Sequence, residues 1–345
     1  MSLKPLIVSL AVLFLPLASQ AQTEARPAPD PQIEAAVKAL AQQLANDCPY
    51  ADAGDQAAFD RCRQRMFGDS ALRRTLSSFT LWGRVKDPDA TLKSTSLTQF
   101  APDVLTGMYL PLFMFDGKYT LTWNEREKLW LARLNTNFRN RLQPGQFPYP
   151  FWHVDDKWGT YENARSVLFW INPQTQRITV AQFSRLGDGP VRSAADKAQL
   201  PAFDGKWMWT DAHGRAQPAT SLFDGLFRND NPYKAQLAES YRDFALSLRD
   251  GQCLACHSPD NSSGMKRLVL LQTPAHAAAE IKRVLRDVER DAMPRDDFDV
   301  EKPLDPAMKK VFLEKGTAFS RVVDQAREWE RNYQARTAGT SSNPQ

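Results

Sequence analysis

At the start of the chain's last third, Gly251-Gln252-Cys253-Leu254-Ala255-Cys256-His257 places two thiols three residues apart and follows the second directly with an imidazole. The pattern is C-x-x-C-H, the attachment sequence of c-type haem. Its spacing has a chemical reason: the two thiols meet the two vinyl groups of the porphyrin, and the adjacent imidazole is set against the iron. A dithiol redox pair has no use for that histidine, and no second C-x-x-C completes a zinc site. The residues point to one haem c, covalently held by Cys253 and Cys256, with His257 as the proximal iron ligand.

The remaining two of the four cysteines, Cys48 and Cys62, have thirteen residues between them. That spacing fits neither zinc nor thioredoxin chemistry and no histidine lies nearby, so a structural disulfide is expected. His153 follows an aromatic, proline-stiffened run, where it either packs or serves a haem edge as a proton donor. Arg165 is a second donor for such a pocket. His213 reads as part of a turn and His276 as the opening of a helix, neither as a site. Trp152, Trp158, Trp170, Trp207 and Trp209 read as core area more readily than as a binding surface.

These residues need elements to position them, and the 345-residue chain is long enough for two modest domains. Charge is nearly balanced, 44 Lys and Arg against 40 Asp and Glu, and both signs are interspersed. Without a basic stripe, nucleic acid is not an expected partner. Residues 1–21 run from Lys4 through an apolar stretch to small residues ending at Ala21, the pattern of a cleaved Sec-type signal peptide. The apolar run is shorter than the roughly 20 residues of a spanning helix. The expectation is export to the periplasm, where haem attachment and disulfides both occur, with no need for membrane association after cleavage.

Asp30-Pro31 supplies a cap and a first-turn proline for a helix to about Asn46, and Asp55 caps a second. From Phe79 to Trp209 short apolar runs alternate with turn signals. Asp116-Gly117 reads as one hairpin turn and 172–176 as another, with a helical insert over 124–141. An antiparallel sheet is the expected core. From Asn231 the period is helical again: Leu237, Tyr241, Phe244 and Leu248 share a face, and further helices are expected over 277–291 and 305–333. The expected division is a signal peptide (1–21), an N-terminal helical segment with the disulfide (22–70), a β-rich domain (71–230), an all-helical haem domain (231–336) and a flexible tail (337–345).

Over 231–336 the chain resembles the class I cytochrome c family: a helix before the attachment sequence, a helix after it, then Ala292-Met293-Pro294 ahead of a last long helix. The resemblance implies an all-α cytochrome c-like domain in an α+β protein, with the Met293 thioether as the distal iron ligand. Met265 is the rival, and an open distal position the third alternative. The acidic linker 296–301 and the length of the last helix depart from the family pattern. A weaker resemblance, in element order and motif position only, is to cytochrome P460, whose haem has an open distal site. The expected function is single-electron transfer between redox partner proteins, with no catalytic residue assigned; the alternative is a periplasmic haem enzyme or gas-binding protein.

Overall fold

A computed structural model describes residues 30–66, 70–85, 92, 96–139, 161, 163–189, 226–228, 230–257, 269, 271, 274–296 and 298–340. The signal segment, His153, Met265, His213, Trp152, Trp158, Trp207 and Trp209 lie outside them.

Helix α1, Pro31–Asp47, begins where its sequence says it must: the Asp30 carboxylate accepts from the Gln32 amide at 2.8 Å, and proline occupies the first turn. Its buried stripe of Ile33, Val37, Leu40 and Leu44 packs toward the sheet. Asp55 caps α2, Gln56–Met66, accepting from the Ala58 amide at 2.9 Å. The expected Cys48–Cys62 disulfide joins the two helices. A short α3, Ala71–Thr75, leads into the sheet.

Among the described residues six strands follow: β1 Leu76–Arg84, β2 Ser96–Phe100, β3 Phe113–Asn124, β4 Leu129–Phe138, β5 Ser166–Ile171 and β6 Ile178–Ser184. Their spatial order is β2-β1-β6-β5-β4-β3, and the protein is α+β. Three sequence expectations are corrected here. The sheet is mixed, because β1 and β6 are not joined by a turn and pair in parallel. Over the described part of the expected helical insert, 124–139, there is no helix: β4 occupies it, pairing Leu121, Thr122 and Trp123 of β3 with Ala132, Leu131 and Trp130. Asp116-Gly117 does not reverse the chain but sits in β3, where the register shifts between Phe115 and Tyr119. Gly117 takes φ +80° there, and a Cβ would lie 3.4 Å from Ala45 of α1, so glycine serves a bulge and a close helix approach together. The hairpin β5–β6 turns at Asn172, whose side chain accepts from the Gln174 and Thr175 amides, as expected.

Strand alternation gives the sheet two apolar faces. Leu131, Trp170 and Val180 lie side by side in a small cluster on one face, while Ala132, Phe169 and Ala181 join the main core on the other. That main core continues without a break into three long helices: α4 Lys234–Asp250, α5 Pro274–Glu289 and α6 Pro306–Thr340. The buried face of α4 includes Leu237, Tyr241, Phe244 and Leu248, as its period required. Phe244 stands 5.2 Å from the Phe312 ring and 5.7 Å from Phe319 on α6. Gly316 permits this approach, since a Cβ there would meet Leu285 at 2.6 Å and Phe244 at 3.1 Å.

Two further expectations change. Helix α6 runs through Thr340, so residues 337–340 are helical rather than a loose tail. The last third is not purely helical either, because Val269 forms a parallel bridge with Gln99 of β2.

Candidate functional site

Helix α4 ends at Gly251, whose amide donates to the Ser247 carbonyl at 2.9 Å. Gln252 then adopts a left-handed conformation, φ 58°, which turns the chain sharply into Cys253. A single tight turn over Cys253–Ala255 follows, and the His257 amide closes it by donating to the Cys253 carbonyl at 3.0 Å. Helix end, left-handed residue and turn together bring the two thiols and the imidazole to one wall of a cavity.

That cavity encloses about 980 Å³ of empty space, counting the part open to solvent, and Cys253, Cys256, His257 and Met293 all line it. Its floor is apolar: Val269, Leu271, Val284 and Val288, with Phe312 from α6. Ion pairs stand in its wall, Arg283 with Asp287 at 3.7 Å and Arg295 with Asp299 at 3.1 Å.

The two ring nitrogens of His257 have different surroundings. Nδ1 lies 2.9 Å from the Val269 carbonyl oxygen, an acceptor only, so Nδ1 carries the proton and donates. Nε2 is then the unprotonated nitrogen, the form that ligates a metal. Burial lowers the pKa of His257 below the ordinary histidine value, against the raising effect of the Val269 bond, and the Arg283 charge lowers it further. The imidazole is therefore neutral at pH 7.

Cys253 and Cys256 are not joined to each other. Burial pushes the Cys253 thiol up to about 12, although the residue as a whole is only half-buried. Its side chain packs against the main core. A thiol so rarely ionised is a poor partner in dithiol exchange. The residues present fit a covalently attached haem: two thiols and a neutral imidazole at one wall, an apolar floor, and a thioether on the cavity lining.

Arg165 is elsewhere, its Nε donating to the Gly189 carbonyl at 2.6 Å, and it does not reach the cavity. Trp170 is fully buried in the small sheet cluster, a core residue as read from the sequence. His276 is also core rather than site, 2% exposed on the first turn of α5.

Sequence reading misses four cavity residues that matter here. Gln99 comes from the sheet edge β2, and nothing in its local sequence marks it. Val269 acts through its carbonyl, which any residue has. Arg283 and Asp287 carried a usable signal, an i,i+4 ion pair beside Val284 and Val288 on an amphipathic helix. No family model matches the chain, and no curated protein or solved structure matches it significantly. Among the described residues, no helix is long and apolar enough to cross a membrane.

Proposed function

We propose that the chain is an exported, periplasmic monohaem c-type cytochrome with a class I cytochrome c-like haem domain, transferring single electrons between redox partner proteins. The observation that carries this reading is the convergence of Cys253, Cys256, His257 and Met293 on one apolar cavity, with the His257 Nδ1 already committed to the Val269 carbonyl. Bound haem would supply the one-electron chemistry by cycling between Fe(III) and Fe(II). Cys253 and Cys256 hold it as thioethers. His257 offers Nε2 in a fixed orientation, and Val269 keeps the ring from turning. Met293 would offer its thioether as the second iron ligand, and the apolar Val284, Val288 and Phe312 would keep water from the cavity. A thioether opposite an imidazole favours a higher potential than two nitrogen ligands.

Optical spectra of the protein, expressed with cytochrome c maturation, test the proposal in oxidised and reduced forms with and without carbon monoxide. A low-spin c-type spectrum indifferent to the gas is expected, and Met293→Ala should lower the potential and let carbon monoxide bind. High-spin iron that binds the gas in the unmodified protein would shift the reading to an enzyme or gas-binding protein. Retention of haem through denaturation after both Cys253 and Cys256 are replaced would refute covalent attachment there.

A further inference from the structure

Of the two arginines that line the cavity, Arg283 and Arg295, the first has its position set from outside the helical part of the molecule. Arg283 rises from α5 beside Val284 and lines the cavity wall. Its guanidinium lies over the Phe79 ring of β1, 4.3 Å from the centroid, and Nη1 donates to Gln99 Oε1 of β2 at 3.2 Å. Asp287, one turn along α5, stands 3.7 Å from Nε. Two of these three partners belong to the sheet, and Gln99 lines the same cavity. Gln99 also pairs with Val269, the residue whose carbonyl accepts from His257. The edge of the sheet is thus built into the site twice, once through a fixed charge and once through the backbone behind the histidine.

A free arginine at a partly exposed position samples many rotamers, and its charge is screened by water. Stacked on a ring and held by an amide, its charge keeps one position beside an apolar space where electrostatic interactions are stronger. Arg283 and His257 line the same cavity. We propose, resting on the haem reading above, that Phe79 and Gln99 are positioning residues that clamp Arg283 as a fixed cation and so raise the reduction potential of the haem. Fe(III) carries one more positive charge than Fe(II), so a fixed cation disfavours the oxidised form. Asp287 offsets part of the effect, and it would keep Arg286, whose Nε is 3.3 Å away, as a partner if Arg283 were neutralised. The sheet then has a function an isolated helical electron carrier lacks: it holds a potential-setting charge that α5 alone would leave to solvent.

The test is a redox titration of the haem-loaded full chain at low and high salt, for the unmodified protein, Arg283→Gln, Arg283→Lys, Phe79→Ala, Gln99→Ala and the double variant Phe79→Ala with Arg283→Gln. Arg283→Gln should lower the midpoint potential. Phe79→Ala and Gln99→Ala should each lower it by a smaller amount and make it more salt-dependent, and Arg283→Lys should keep part of the potential. In the Arg283→Gln background, Phe79→Ala should add nothing, because its effect runs through the guanidinium. An unchanged potential in Arg283→Gln overturns the clamp while leaving the cytochrome reading intact, as does a Phe79→Ala shift that persists without the arginine. Absence of attached haem in the unmodified protein overturns the cytochrome reading itself, and the clamp with it.

Discussion

At the scale of single residues, burial decides what the histidines do. His276 faces Phe100 and Tyr109, with its ring centroid 5.2 Å from the Phe100 centroid, and burial pushes its pKa down to about 3 from 6.5. The folded protein keeps it neutral, whereas the unfolded chain binds a proton below about pH 6.5. Stability from this group is complete above that value and falls as pH drops toward 3. Glu280, one turn on, has the opposite sign, because burial raises its carboxyl and ionisation costs stability as pH rises above 4.5. His276→Phe keeps a ring in place and removes the proton. Its unfolding free energy should lack the wild-type fall of up to about 1.4 kcal/mol per pH unit below pH 6.5, as checked by urea midpoints at pH 7 and pH 5. Parallel pH dependences in the two proteins would sink the argument. The same scale separates what was legible in the site. Cys253, Cys256 and His257 lie within five residues of one another, so their grouping at one cavity could be read directly. Gln99 meets Arg283 across 184 residues, and only folding brings them together.

At the scale of elements, period and packing carry different information. The stripe on α4 was legible because its four apolar residues repeat every three or four positions. The region 124–141 misled because Glu125-Arg126-Glu127-Lys128 is made of charged residues, all four of them good helix formers, although it only turns the chain between Asn124 and Leu129. The alternation of Trp130, Ala132 and Leu134 was the stronger signal, and tertiary pairing with β3 and β5 made it a strand. Two phenylalanines make the energetic contrast. Phe244 is 0% exposed and holds α4 to α6 through Phe312 and Phe319, whereas Phe298 is 87% exposed. Phe244→Ala should cost roughly 3–5 kcal/mol, and Phe298→Ala about 0.5 kcal/mol or less, read from denaturant midpoints at constant slope. Because Phe312 also lines the cavity, Phe244→Ala should broaden the spectrum of protein carrying the proposed haem as well. Equal costs for the two variants would mean that the α4–α6 contact is not where the helices gain stability.

At the scale of the whole molecule, one core joins parts that the sequence divides. The disulfide end reaches the sheet where the Phe115 amide donates to the Cys48 carbonyl at 2.8 Å. The sheet reaches the helices through Phe100, Tyr109 and His276, and through Asp103, which pairs with Arg73 near β1 and lies 3.6 Å from Arg327 of α6. Composition and period show where helices and strands lie, but not that their buried faces meet, since those contacts are set by tertiary packing alone. A continuous core predicts cooperative unfolding. Reducing Cys48–Cys62 releases a loop closed over a separation of 14 residues, and a loop of that size is worth about 3 kcal/mol. Because α1 packs on β3 and β3 belongs to the shared core, that loss should lower one common transition rather than melt α1 and α2 first. Far-ultraviolet circular dichroism and, in protein carrying the proposed haem, its absorbance, followed together on heating, should shift to lower temperature in step when reductant is added. An early loss of helix signal while the haem band holds would show that the N-terminal helices unfold on their own, and that the core is two cores in contact.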